Sequence, residues 1–197
     1  MLRAVLFDLD NTLVARDEAF RGCVEDQFPD AAVRAELLRL DGGGRGDRAA
    51  LLECWQRRSG EPMDQIRMGR LIAGHLQPDH ELLAALSRLS QTVKLGIITN
   101  GSGETQRHKL RVAGLAGIVP ANHIWISGEV GKAKPDPEIF LLAGRTLGET
   151  PEHCLHIGDH ANDDLAGATR AGMRGCLVEQ VLNARRLDQL LNRERLQ

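Results

Sequence analysis

The sequence has no excess of either charge, no long apolar run and no clustered cysteines, and each absence removes a class of function. Twenty-five Lys and Arg stand against 27 Asp and Glu, a net charge of −2. Nothing electrostatic therefore draws the chain to nucleic acid or to an anionic membrane. No apolar stretch approaches the ~20 residues that a membrane span needs. Cys23, Cys54, Cys154 and Cys176 are scattered through 197 residues. Without metal-type spacing they read as buried thiols, not as ligands or disulfides. The first residues are one arginine, a short apolar run and then acids, which is no secretory signal, so a cytoplasmic location is the expected default. Internal repeats and low-complexity segments are missing as well.

What is present suits a soluble globular protein: 42% hydrophobic and 26% charged residues, long enough for one large domain or a domain with an insertion. Short apolar runs recur as "LRAVLFD", "VKLGIIT", "HIWIS", "HCLHIGD" and "RGCLVE". They do not alternate, which fits parallel strands buried on both faces. Helical patterns separate the later ones: "SGETQRHKLRVAGL", "PDPEIFLLAGRTLG" and "ANDDLAGATRAG". Strand and helix alternating in this way predict an α/β fold, a doubly wound, Rossmann-like parallel sheet. Residues 15–78 break the rhythm with helical periodicity and no strand. The expected domains are thus an α/β core over 1–14 and 79–197 with an inserted helical cap over 15–78. Within the insertion, Leu51, Leu52 and Trp55 share a helical face, expected to pack in a core. "DGGGRGD" lacks the Gly-Lys-Ser/Thr ending of a phosphate loop and reads as a connection.

In an open α/β sheet, ligands bind outside the carboxyl ends of the strands. The first run delivers Asp8, Asp10 and Thr12; the second delivers Thr99, Asn100 and Gly101. The third is followed by Lys132 and Lys134, and the fourth delivers Asp159 and then Asp164. Singly, each has an ordinary account as a turn, a cap or a solvated side chain. Jointly they form one constellation. Carboxylates brought that close repel one another, and a hard divalent cation relieves the repulsion. Mg²⁺ suits few carboxylates, several waters and phosphate oxygens. Lysine and threonine beside such a metal make a site for a phosphoryl group.

"FDLDNTL", "ITNG", "KPDPEIF" and "GDHANDDLAGA" resemble, in order, the four motifs of the haloacid dehalogenase-like hydrolase superfamily. The insertion lies between the first two, as in members with a small helical cap. The resemblance implies that Asp8 is the nucleophile, forming an aspartyl-phosphate, and Asp10 the general acid–base. It implies that Thr99, with the backbone at Asn100 and Gly101, binds the phosphoryl group, and that Lys134 stabilises Asp8 and the phosphoryl oxygens. The metal would be held by Asp8, the Asp10 backbone carbonyl and Asp159, with Asp164 helping directly or through water. Asp163 replaces a common asparagine and receives no ligand role, and Lys132 lies off the register.

The expected activity is that of a Mg²⁺-dependent phosphatase for a small phosphomonoester, a phosphosugar or nucleotide-like metabolite. Dehalogenases of this superfamily carry a non-acidic residue where this chain has Asp10, which favours the phosphatase. The alternatives are a 2-haloacid dehalogenase, a phosphomutase, or a non-catalytic phospho-acceptor module resembling a receiver domain. The words around "TNGSGETQRHKL" resemble the branch with neuraminate-phosphate and nucleotide phosphatases. His108 and Lys109 on that helix, and His160 beside Asp159, divide between substrate contact and a solvated face. The cap is expected to limit substrates to small soluble esters, with no nucleic acid or membrane partner; monomer and homodimer both remain open.

Overall fold

The computed structural model describes residues 1–195 and divides the chain into two compact units, Met1–Val14 with Gln77 onward, and Ala15–Leu76. The chain order begins with strand β1 (Ala4–Phe7) and four helices of the inserted unit. These are α1 (Arg16–Gln27), α2 (Ala31–Asp41), α3 (Arg48–Ser59) and α4 (Gln65–Gly74). The core resumes with α5 (His80–Leu89), β2 (Lys94–Thr99), α6 (Gly103–Val112), β3 (Ile124–Ile126) and the short α7 (Ser127–Val130). It closes with α8 (Pro137–Leu147), β4 (Cys154–Gly158), α9 (Gly167–Arg170), β5 (Arg174–Leu177) and α10 (Ala184–Arg195).

The five strands form one sheet in the order β3-β2-β1-β4-β5, and every pairing is parallel. β1 is central: Phe7 lies opposite Ile97 on one side and Ile157 on the other. All four β1 residues are fully buried, as an uninterrupted apolar strand covered by helices on both faces must be. On one face Leu6, Ile98 and Trp125 pack with Ile139, Phe140 and Ala143 of α8. That helix is delimited as its residues demand. The Asp136 side chain accepts from the Glu138 N–H, Pro137 opens the first turn, and Gly148 ends the helix at φ 67°.

Two details depart from expectation. "ANDDLAGATRAG" does not start as an α-helix; Ala161–Ala166 is a π-helical turn, with Leu165 N–H reaching His160 O at 3.3 Å. The wider turn swings Asp164 back under the end of β4, where a Cβ at Gly158 would lie 2.2 Å from Asp164 Cγ. Only glycine permits that approach. Of the cysteines, three are buried, but Cys176 on edge strand β5 is half-exposed, because no further strand among the described residues covers that edge.

In the inserted unit Trp55 is buried against Phe20 and Phe28, with ring centroids 6.3 and 4.9 Å away. Arg16 and Asp41, each 3% exposed, pair through the two terminal guanidinium nitrogens, and Asp41 Oδ2 also accepts from Gly44 N–H at 3.0 Å. The pair thereby ties the glycine-rich connection to α1. No helix among the described residues is long and apolar enough to cross a membrane.

Candidate active site

Because every strand runs the same way, the polar residue after each apolar run arrives at one edge of the sheet. Asp8 follows β1, Thr99 ends β2 and Asp159 follows β4. The Asp8 N–H still donates to Ile157 O at 2.9 Å, so the first carboxylate is fixed by the sheet itself. After it the chain folds into a tight loop in which Leu9 O accepts from Leu13 N–H at 2.9 Å and Val14 N–H at 3.0 Å. Asn11 takes φ 60°, a left-handed position that asparagine tolerates better than most residues. The loop buries Thr12 fully, and its hydroxyl donates to Asp8 Oδ2 at 3.4 Å.

Lys134 reaches this edge from the loop before α8. Its Nζ donates to Asp8 Oδ1 and to Asp164 Oδ1, both at 2.6 Å. The loop is braced by Asn100, whose side chain donates to Lys134 O at 2.8 Å and accepts from Lys134 N–H at 2.9 Å. Gly101 continues the brace: its N–H donates to Ser127 Oγ at 2.9 Å and its carbonyl accepts from Gly128 N–H at 3.0 Å. Lys132, by contrast, pairs with Asp136 at 3.8 Å on the surface.

Asp8, Asp159 and Asp164 can each offer an oxygen such that all three lie within 4.8 Å of one another. Burial is the main influence on Asp8. Lys134 opposes it, Asp164 and Asp10 reinforce it, and the carboxyl is pushed from its ordinary 3.8 up to about 7. Asp164 goes the other way. Burial again works against its charge, but the hydrogen bond from His156 and the charge and hydrogen bond of Lys134 prevail and hold it well below the usual carboxylate range. Burial likewise works against the Lys134 ammonium, and the two carboxylates overcome it and raise its pKa. Two acids with environments that push their affinities for a proton apart are a frequent mark of a reacting centre.

His156 on β4 was not anticipated as part of this site. It is fully buried, Nε2 lies 2.9 Å from Asp164 Oδ1, and the ring stands perpendicular to Phe140 at 5.0 Å. Burial lowers its pKa, so the ring is neutral and Nε2 carries the proton that Asp164 accepts. His160 turns out to cap the π-helical turn, its Nδ1 accepting from Asp163 N–H at 3.1 Å, while its own N–H donates to Asp164 Oδ2 at 3.0 Å.

Asp10 lies apart from the three clustered carboxylates. Lys109 Nζ is 2.7 Å from its Oδ1 and 2.6 Å from its Oδ2. Gln106 Nε2 donates to Asp10 Oδ2 at 3.1 Å and to Thr99 Oγ1 at 2.6 Å. A solvated face is therefore the wrong description of Lys109, which is buried, whereas neighbouring His108 is half-exposed. The burial follows from helical spacing: Gln106, Lys109, Leu110 and Ala113 share one side of α6 and its end, and all four are buried.

The model of the haloacid dehalogenase-like hydrolases matches residues 2–172. The chain belongs to that family. Over 195 residues it is 32% identical to a glyceraldehyde 3-phosphate phosphatase from Methanopyrus kandleri, covering 88% of this chain and 82% of that protein. An N-acylneuraminate-9-phosphatase from Rattus norvegicus is 32% identical over 100 residues, 51% of this chain and 40% of that protein. Among solved structures, the magnesium-bound HAD-hydrolase YfnB from Bacillus subtilis superposes with a TM-score of 0.73 at 24% identity, covering 97% of this chain and 99% of that one. That similarity establishes the shared fold.

Proposed function

We propose that the protein is a Mg²⁺-dependent phosphatase for small phosphomonoesters, working through a phosphorylated Asp8. The observation that carries the reading is an acidic Asp10, held beside Thr99 at the strand edge where Lys134 joins Asp8 to Asp164. The donor set of Asp8, Asp159 and Asp164 consists of carboxylate oxygens, which suits a hard cation that keeps several waters. The resemblance adds the Asp10 backbone carbonyl to that set. When bound, Mg²⁺ supplies positive charge that offsets repulsion between the carboxylates and an incoming phosphate.

An oxygen of Asp8 attacks phosphorus in line with the departing ester oxygen, forming the acyl phosphate as the P–O bond to the organic group breaks. Lys134, already 2.6 Å from Asp8, balances charge on the phosphoryl oxygens, and the Thr99 hydroxyl donates to one of them. Asp10 gives its proton to the departing alkoxide. It then takes a proton from the water that attacks the acyl phosphate, which releases inorganic phosphate and restores Asp8. An alkoxide needs that proton and a halide does not, so an acid at position 10 supports ester hydrolysis over dehalogenation.

The name of the Methanopyrus relative supports a small phosphosugar as substrate. These phosphate-binding groups read only the part common to all esters, and selectivity for the organic part is assigned to the inserted helical unit. Phosphate release from p-nitrophenyl phosphate and glyceraldehyde 3-phosphate, measured beside halide release from 2-chloropropionate, tests the reading. Sustained turnover of the esters supports it. A single phosphorylation event would make the protein a phospho-acceptor, and halide release without phosphate release would make it a dehalogenase.

A further inference from the structure

Gln106 and Lys109 belong to none of the four motifs, yet they are 2% and 4% exposed. A buried ammonium on a largely polar helix requires a partner, and here that partner is Asp10, gripped through both of its oxygens. A carboxylate held in this way cannot rotate about its last bond without losing an ionic hydrogen bond. Gln106 adds a second constraint. Its amide nitrogen carries two protons, and they fit its two contacts, Thr99 Oγ1 at 2.6 Å and Asp10 Oδ2 at 3.1 Å. With the Thr99 oxygen accepting from the amide, the hydroxyl's own proton is directed to a different group. Gly101 makes room for this bridge: at φ 143°, a Cβ there would stand 3.0 Å from Gln106 Cγ and 3.1 Å from Cδ.

We infer that Lys109 and Gln106 are positioning residues: Lys109 fixes the orientation of the Asp10 carboxylate, and Gln106 locks it in register with the Thr99 hydroxyl. The inference rests on the reading of Asp10 as general acid–base and of Thr99 as a phosphoryl ligand. It implies that proton transfer and phosphate binding are aligned by one face of α6.

Asp10→Asn, Lys109→Met and their double variant, each compared on p-nitrophenyl phosphate and glyceraldehyde 3-phosphate, test the first half. Phenolate leaves with little help, so loss of proton donation should appear mainly on the sugar ester. Lys109→Met should lower kcat on that ester by about 10–100-fold, a part of what general acid catalysis supplies, and on p-nitrophenyl phosphate by no more than about threefold. KM should stay within about threefold on both, because the ground-state phosphate contacts are intact. In the Asp10→Asn background the same substitution should cost less than about twofold, since its target is gone. Equal losses on both esters, or an undiminished loss in the double variant, would overturn the role of Lys109. Lys109→Gln allows the same comparison if methionine prevents folding. For the second half, Gln106→Met should weaken inhibition by inorganic phosphate several-fold, and unchanged inhibition would overturn it. Asp10→Asn affecting both esters equally would instead sink the general-acid reading, a result separable from either outcome at Lys109.

Discussion

Asp8→Asn separates the chemical value of the Asp8 carboxylate from its cost to the fold. The residue is 6% exposed, with Lys134 at 2.6 Å and Asp164 and Asp10 nearby as like charges. Its pKa is raised from 3.8 to about 7, so the folded chain holds the Asp8 proton more tightly than the unfolded chain does. In chelator this contribution to stability is complete below 3.8 and is lost as pH rises through about 7. At ~1.4 kcal/mol for each pH unit between the two values, full ionisation costs the fold up to about 4 kcal/mol. For a chain of this size that corresponds to a difference in Tm of up to roughly 8–16 °C. Asparagine cannot ionise. In EDTA near pH ~8 the variant should therefore melt above the parent, and the two curves should converge near pH ~4. Asp164 and His156 titrate in the opposite sense, losing stability as pH falls, but they are present in both proteins and largely cancel in the difference. Mg²⁺ should raise the Tm of the parent and do much less for the variant. Phosphate release should be abolished, because an amide does not attack phosphorus at a useful rate. Differential scanning fluorimetry across pH, with EDTA and with Mg²⁺, reads the first effect, and a phosphate assay reads the second. Parallel pH profiles would refute the argument about burial, and activity within about tenfold of the parent would refute Asp8 as nucleophile.

Three further outcomes are expected. Activity should vanish in EDTA, return with Mg²⁺ and remain poor with Ca²⁺, whose longer and looser coordination misplaces the same oxygens; full activity in chelator would remove the metal from the mechanism. Lys134→Met strands two buried carboxylates and should cost about 3–5 kcal/mol in chelator and visibly less with Mg²⁺, measured by urea unfolding; a metal-independent loss would show that no cation shares its place. Arg16→Met leaves Asp41 buried without its main cation and should destabilise the inserted unit by about 3–5 kcal/mol. Trp55 reports on that unit once Trp125 in the core is replaced by Phe, and an unchanged urea midpoint of its fluorescence would deny the pair a structural role.

The strand ends were legible because a buried parallel strand is a strong signal. "AVLF", "KLGIIT" and "CLHIG" are apolar until the sheet edge, so the polar residues that follow, Asp8, Asn100 and Asp159, stand out. The partners of Asp10 were not legible in the same way. α6 reads "GETQRHKLRV", and in so polar a helix Lys109 looks no different from Arg111. A usable cue existed in Leu110 and Ala113, which mark the inward face; counting back four positions from each reaches Gln106 and Lys109. His156 was hidden for the reverse reason. It occupies an interior position of an apolar strand, and only the π-helical turn, which brings Asp164 back beneath Gly158, gives its Nε2 a partner. Such a turn carries one extra residue per hydrogen bond, and nothing in the spacing of "ANDDLAGA" announces it.

Topology explains why one acid is kept apart from the others. After β1 the chain goes to β2 and β3 on one side, then returns to β4 and β5 on the other, so the strand order reverses beside β1. Crevices for ligands form at such reversals. Asp8 thus stands between two differently furnished flanks. On the β4 flank, Asp159 and Asp164, the latter bonded to His156, offer oxygens suited to a cation. On the β2 flank, Lys109 and Gln106 engage Asp10, and Gln106 also bonds the Thr99 hydroxyl. Lys134 arrives from the loop after β3 and binds the central acid to the β4 flank. In the mechanism proposed above, a phosphoryl group at Asp8 would have its charge balanced from the β4 flank and its departing oxygen protonated from the β2 flank. The turn at Asn11 and the two bonds from Lys109 hold the Asp10 carboxylate on the β2 flank.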